Sequence, residues 1–383
     1  MKKLKIGVIG VGGMGSAHCR NVKNLDETEL VFVCDADKNI AKSRGEEFGV
    51  KHFTDYKEAI KSGLCEGVII ATPHWFHPEI AIYAFENGIH VLSEKPIAVK
   101  VSDADKMIKA AKKSGKIFTI MFQRRTEPLF KKAIEIIKSG ALGELQKSVC
   151  IDPWYRTQAY YNSGGWRATW IGEGGGVLIN QAPHTIDLFT LLGGLPKKVL
   201  AKTRTKLHDI EVEDEVSALL EYKNGAWGYY YTSTCEPVGP LHMEFTGDKG
   251  KLIIKGDKLT FYSFEYPISE SMVKIESMWG SLKYTEEKIE ISSNIQTGHS
   301  AIIRNFARAI LYGEELIVNG EEGLNSVEFI NACILSGKRN KEVEIPVDRK
   351  EYDQLMEELK KSSKPKKVVK EERITDPAFA KKS

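Results

Sequence analysis

Two short stretches carry side chains able to move a proton at an oxygen atom. Glu94-Lys95-Pro96 sets a lysine, both cation and hydrogen-bond donor, beside a proline that fixes the backbone after it. Further on, Gly174-Gly175-Gly176-Val177-Leu178-Ile179-Asn180-Gln181-Ala182-Pro183-His184-Thr185-Ile186-Asp187 spaces Asn180, His184 and Asp187 at i, i+4 and i+7. On a helix these three share one face, opposite Ile, Leu and Phe. Such a polar stripe is costly to bury unless it is hydrogen-bonded or functional. A lone histidine there is more often a satisfied core residue; three aligned polar residues favour function. His184 titrates near neutrality and suits a general base or acid. Lys95 suits stabilisation of charge developing on oxygen. Pro183, within the same run, removes a helix N–H and is expected to kink the helix.

Gly10-Val11-Gly12-Gly13-Met14-Gly15 offers a different chemistry. The run follows a strand and opens a helix, and Asp35 ends the next strand, the context of a dinucleotide-binding turn. Gly10 permits the tight turn, Gly12 lets a pyrophosphate approach the backbone, and Gly15 lets the helix pack on the sheet. Gly13 and Met14 lie between them at the helix N-terminus, where free N–H groups and the positive dipole end favour phosphate. Asp35 should accept from an adenosine ribose and repel a 2′-phosphate, which favours NAD over NADP.

Other candidates read blandly. His74 and His77 have the spacing of a metal pair, but they lie between Pro73 and Pro78 with no third ligand evident, so no metal is expected. The aromatic run from Trp154-Tyr155 through Trp166-Arg167 to Trp170 reads equally as core or as a sugar-stacking wall with an anion-binding arginine.

The elements that must position these residues follow from periodicity. Strands at 4–9, 30–34, 67–71, 89–93 and 116–122 alternate with helices, which implies βαβ units and a parallel sheet. After residue 123 the pattern changes. Helices are expected at 129–139 and 177–192. Residues 199–292 read as successive strands with Asn224-Gly225 as a hairpin turn, and helices at 299–312, 323–336 and 348–361 close the chain.

Composition bounds the rest. The chain has 383 residues, enough for two domains. Apolar residues make up 42% and charged residues 28%, which excludes disordered, collagen-like and coiled-coil classes. Lys plus Arg (55) barely exceed Asp plus Glu (52). Residues 360–383 hold nine basic against three acidic residues, so the basic excess sits on a solvated tail, not on a folded nucleic-acid face. Residues 374–379 of that tail are a candidate dock on a neighbouring subunit. Six scattered cysteines without a C-x-x-C pair suit reduced thiols in the cytoplasm. There is no bilayer-length apolar run and no secretory signal pattern, so no membrane partner is expected.

Together these motifs resemble the glucose–fructose oxidoreductase/inositol dehydrogenase (Gfo/Idh/MocA) family. The glycine fingerprint, Ala71-Thr72-Pro73, His77, Glu94-Lys95-Pro96, and Trp166-Arg167 before the Gly-Gly-Gly run occur in family order across residues 5–361. The resemblance implies an α/β Rossmann domain over 1–122, then an α+β domain over 123–362 with a large, mostly antiparallel open sheet, then the basic tail 363–383. It implies a homodimer or homotetramer built through that sheet, and NAD-dependent hydride transfer to or from a hydroxyl-bearing carbon of a sugar, polyol or sugar derivative. By motif position Lys95 and His184 are catalytic. Thr72, Pro73, His77, Glu94, Lys95 and Gln123 line the cofactor, while Trp166, Arg167, Asn180 and Asp187 face the substrate. Many family dehydrogenases carry Asp where this chain has Asn180, and Asn cannot take a proton. Two alternatives stand beside this reading: an NAD-dependent glycosidase or eliminase that oxidises its sugar transiently, and a non-catalytic NAD sensor, against which Lys95 and His184 argue.

Overall fold

The computed structural model describes residues 2–291, 296–364, 366, 369 and 370. Six parallel strands make the first sheet: β1 (Leu4–Ile9), β2 (Thr28–Cys34), β3 (Lys51–Phe53), β4 (Gly67–Ile70), β5 (His90–Ser93) and β6 (Phe118–Ile120). Their order is β3-β2-β1-β4-β5-β6, so the strand order reverses between β1 and β4. Such sheets bind ligands in the crevice outside the carboxyl ends at that reversal. Leu4, Ile6, Val8, Val68, Ile69, Val91 and Leu92 are fully buried, because helices cover both faces. The short β3 and the helix Tyr56–Lys61 carry too little periodicity to be expected from sequence.

The second sheet has nine strands: β7 (Leu145–Pro153), β8 (Lys198–Arg204), β9 (Glu215–Glu221), β10 (Trp227–Ser233), β11 (His242–Gly247), β12 (Gly250–Lys255), β13 (Lys258–Phe264), β14 (Tyr284–Ile289) and β15 (Val343–Glu344). The order is β14-β13-β12-β11-β7-β10-β9-β8-β15, antiparallel except where β7 meets β10. Gly225, at φ +84°, makes the expected turn between β9 and β10. One face packs on the helices Pro183–Gly193 and Glu322–Arg339 through Phe189, Tyr230, Phe245 and Phe329, with ring centroids 5.1–6.1 Å apart. The other face carries a transverse apolar row, Leu200, Leu219, Tyr229 and Val149, in register across β8, β9, β10 and β7. Leu200, Leu219 and the nearby Trp227 are exposed.

Two expectations are corrected. The helix expected at 177–192 begins only at Pro183. Gly176 packs so closely on the Glu213 backbone that a Cβ would sit 1.8 Å from its carbonyl oxygen. The Glu213 carboxylate takes the N–H groups of Gly176 (2.9 Å) and Leu178 (3.2 Å), which holds a tight turn in place of a helix. Pro183 then sits in the first helical turn, where its missing N–H costs nothing, so it starts the helix and does not kink it. The helix Gly298–Tyr312 packs on the first sheet's side. Phe306 lies against Gly67, and Arg304 and Arg308 both reach the buried Glu27 carboxylate. Residues 371–383, including the stretch 374–379, lie outside the described residues.

Candidate active site

The glycine turn is shaped as its spacing requires. Gly10 has φ +84°, and a Cβ there would strike the Ala71 backbone at 2.7 Å. A Cβ on Gly15 would lie 1.8 Å from the Gly10 carbonyl oxygen, so only glycine lets the helix Gly13–Asn24 approach so closely. A Cβ on Gly12 would meet nothing within 4 Å, which leaves that backbone open on the ligand side. The helix has no side-chain cap and no acid in its first turn, so its N-terminal dipole is free for an anion. Asp35, directly after β2, accepts from Val11 N (3.0 Å) and Asp37 N (3.0 Å), which fixes its carboxylate beside the turn.

Thr72, Pro73, Glu94, Lys95 and Gln123 follow the carboxyl ends of β4, β5 and β6. Glu94 is buried between two elements: Oε1 meets Nε2 of His18, on the helix Gly13–Asn24, at 2.8 Å, and Oε2 accepts from Lys95 N at 3.1 Å. Its hydrogen bond and charge contact with His18 outweigh burial and hold the carboxyl at about 2. The Lys95 ammonium donates to the Asn180 carbonyl oxygen at 2.9 Å, and burial pulls its pKa down against the pull of Glu94 and Glu173. Although Asn180 precedes the helix, it therefore still arrives beside Lys95.

His184 is buried next to Phe122, its ring 5.9 Å away, with Nε2 3.4 Å from Gln123 Nε2. Burial first, and then the positive charge of Lys95, hold its pKa well below 6.5, so the imidazole is neutral at neutral pH and can accept a proton. Trp166 lies edge-on to His74, with ring centroids 6.1 Å apart. The Arg167 guanidinium stacks on both Trp166 (4.6 Å) and Tyr160 (4.7 Å) and donates to the Tyr160 hydroxyl at 2.9 Å.

Two of the candidates have protein partners of their own. Asp187 faces away from this cluster: both its oxygens take the Arg125 guanidinium, at 2.6 and 2.8 Å, and Arg125 also reaches Glu322 at 2.7 Å. This buried bidentate pair fixes the helix on its neighbours and gives Asp187 a structural partner. His77 is fully buried, with ring nitrogens 2.9 Å from the Thr72 carbonyl and 3.0 Å from the Pro96 carbonyl. It ties the turns after β4 and β5 together. His74 similarly spends Nδ1 on the Glu173 carbonyl at 3.2 Å.

Several site residues escape sequence reading. Tyr160 gathers donors from Asn180, Gln181 and Arg167 on its hydroxyl. Glu173 holds the Asn180 amide. Asp152, which burial pushes up to about 6, faces Trp154 Nε1 at 2.7 Å. The His18 and His299 rings lie 5.4 Å apart, tilted 58° to each other, beside Glu94. No spacing marks any of these; they meet because distant elements end at one crevice. Behind the aromatic run, His208, Asp214 and Cys235 come within 4.8 Å of one another. There the Asp214 carboxylate is already taken by the N–H groups of Lys206, Leu207 and His208, so it serves as a turn anchor.

The residues fit a dinucleotide. Besides the open Gly12 cradle, buried Thr72 Oγ1, Gln123 Oε1, His184 Nδ1 and His18 Nδ1 have no hydrogen-bond partner among the described residues. Buried polar atoms are usually met by protein, water or a bound group, and these four lie around Glu94, Lys95 and the ends of β4 and β6. A crevice built for a dinucleotide, with a neutral imidazole and an ammonium at its inner end, defines the class: a nicotinamide-dependent dehydrogenase.

Comparison with known proteins narrows the class. Residues 4–122 match the oxidoreductase family with the NAD-binding Rossmann fold, and residues 130–253 match the GFO/IDH/MocA C-terminal domain. Similar proteins include the myo-inositol 2-dehydrogenase of Thermotoga maritima, 25% identical over 84% of this chain and 92% of that one. The 4-carboxy-2-hydroxymuconate-6-semialdehyde dehydrogenase of a Sphingobium species is 29% identical over 71% and 85%. The solved WlbA dehydrogenase of Bordetella pertussis, in complex with NADH and UDP-GlcNAcA, superposes with a TM-score of 0.76 at 25% identity, covering 91% of this chain and 100% of that one. The chain belongs to the Gfo/Idh/MocA family of NAD-dependent oxidoreductases. Among the described residues no helix is long and apolar enough to cross a membrane.

Proposed function

We propose that this enzyme transfers a hydride between NAD and a hydroxyl-bearing carbon of a sugar, polyol or sugar derivative. The observation that carries the proposal is the convergence of Lys95, whose ammonium donates to the Asn180 carbonyl, and buried His184, beside Gln123, where β5 and β6 end. Inositol dehydrogenases among its relatives support the substrate class. Gly10, Gly12, Gly13, Met14 and Gly15 would hold the pyrophosphate and Asp35 the adenosine ribose, with Thr72, Pro73, Glu94 and Gln123 along the rest of the dinucleotide. NAD supplies the hydride acceptor when bound. His184 takes the proton of the substrate hydroxyl, and Lys95 donates to the same oxygen as negative charge develops there. Trp166, Arg167 and Asn180 form the substrate side. In this reading residues 1–122 serve the cofactor and 123–362 the substrate. The apolar row on the open sheet face pairs with a second copy, giving a homodimer or homotetramer. Six free thiols suit the cytoplasm.

The test is NADH formation at 340 nm across sugars, polyols, sugar acids and sugar nucleotides, with NAD and NADP in parallel. Net reduction with one substrate class is the expected result. Silence across the panel, with NAD binding seen by calorimetry, would overturn net dehydrogenation and favour a redox-cycling glycosidase.

A further inference from the structure

The segment after the helix Arg349–Ser362 is not simply solvated; it is tied to the aromatic run at both ends. At the far end, Glu211 accepts from Trp170 N at 3.2 Å with one oxygen. The same carboxylate holds Ser363 Oγ at 2.6 Å and Lys364 N at 2.5 Å, and Ile171 N points at Ser363 Oγ from 3.5 Å. At the near end, the Lys366 ammonium donates to the Tyr161 carbonyl and to the Gly164 carbonyl, the latter at 3.1 Å. Lys370 N donates to the Asn162 carbonyl at 2.8 Å.

These ties attach along residues 161–171, and Tyr160, one residue before them, reaches the reacting groups. The Tyr160 hydroxyl takes the Asn180 and Gln181 amides at 3.1 Å each, and the Asn180 carbonyl takes the Lys95 ammonium. A shift of the stretch is thus passed first to the Asn180 and Gln181 side chains, on the substrate side of the proposed site.

We propose that Ser363, Lys364, Lys366 and Lys370 form a strap that fixes the substrate wall, with Glu211 and Lys366 as positioning residues that tune substrate affinity. The proposal rests on the dehydrogenase reading for its substrate, but not for the strap itself. The last carbonyls of the short helix Gln158–Asn162 have no partner within the helix, and a half-buried ammonium donating to the Tyr161 and Gly164 carbonyls supplies charge-assisted bonds there.

The test uses full-length Lys366→Ala, Glu211→Ala and the conservative Lys366→Arg. Hydrogen exchange is read on the NAD-bound enzymes over residues 158–171, with residues 4–122 as the internal control. Exchange over 158–171 should accelerate about fivefold in both alanine variants, the loss of one or two net hydrogen bonds. With the panel sugar giving the highest rate, KM should rise about fivefold while kcat and NAD affinity stay within about twofold. Lys366→Arg should restore most of both. Unchanged exchange overturns the strap. Faster exchange with unchanged KM overturns its part in substrate binding. If no panel sugar reacts, the dehydrogenase reading fails, and the exchange result still decides whether the strap holds the wall.

Discussion

His184 and Lys95 suit each other because the site pulls both toward their neutral forms. The ammonium, second only to burial, keeps the imidazole neutral, and burial weakens the ammonium's own hold on its proton. A group whose pKa lies well below 6.5 stays a competent base at pH 6.5 and loses that competence only when pH falls through its lowered value. The acid limb of kcat/KM should therefore lie below pH 6.5; a limb at or above 6.5 would remove His184 as the base. Lys95→Ala and His184→Ala should each lower kcat by about 10²–10⁴-fold, with NAD affinity by calorimetry nearly unchanged. Asp35 makes a separate argument from charge. Its carboxylate is fixed by two backbone N–H groups beside the turn. Asp35→Asn should raise the NADP-to-NAD ratio of kcat/KM by about tenfold through loss of like-charge repulsion; an unchanged ratio would place the discrimination elsewhere.

At the scale of elements, the glycine turn separates packing from binding. Gly15→Ala puts a Cβ into the Gly10 carbonyl, so it should lower Tm by several degrees and abolish NAD binding. Gly12→Ala meets no protein atom, so Tm should hold while NAD affinity falls about tenfold. Equal behaviour of the two in a melting assay would show that the turn is not shaped as described. Much of this is legible in the residues alone. The strand–turn–helix order, the parallel sheet and the antiparallel second half follow from apolar periodicity and from glycines whose absence of a side chain is itself the signal. A helix over 177–182 is a false expectation because the periodicity there is sound locally. Its failure comes from Glu213, far along the chain, capturing the N–H groups of Gly176 and Leu178. The partners of the polar candidates are hidden in the same way. Asp187 answers to Arg125, His77 to two carbonyls, and Asn180 to Lys95 and Tyr160, and no spacing encodes those partners.

For the whole molecule, the open sheet is the surface proposed to carry assembly. An in-register row of Leu200, Leu219, Tyr229 and Val149 lies on the face opposite the one that packs on the helices. Leu219→Lys should shift the mass in light scattering toward the monomer and leave the NAD affinity of each chain in place; an unchanged mass would move the interface off this row. The two halves are also bound within one chain. Helix Gly298–Tyr312 leaves the second half to seat Phe306 on Gly67 and to set two arginines on the buried Glu27. The consequence concerns inheritance. A cofactor half closed by a helix encoded far downstream is no free cassette. Exchange of residues 1–122 between relatives by recombination must bring a matching helix with it, so Gly67 with Phe306, and Glu27 with Arg304 and Arg308, are expected to change together or not at all.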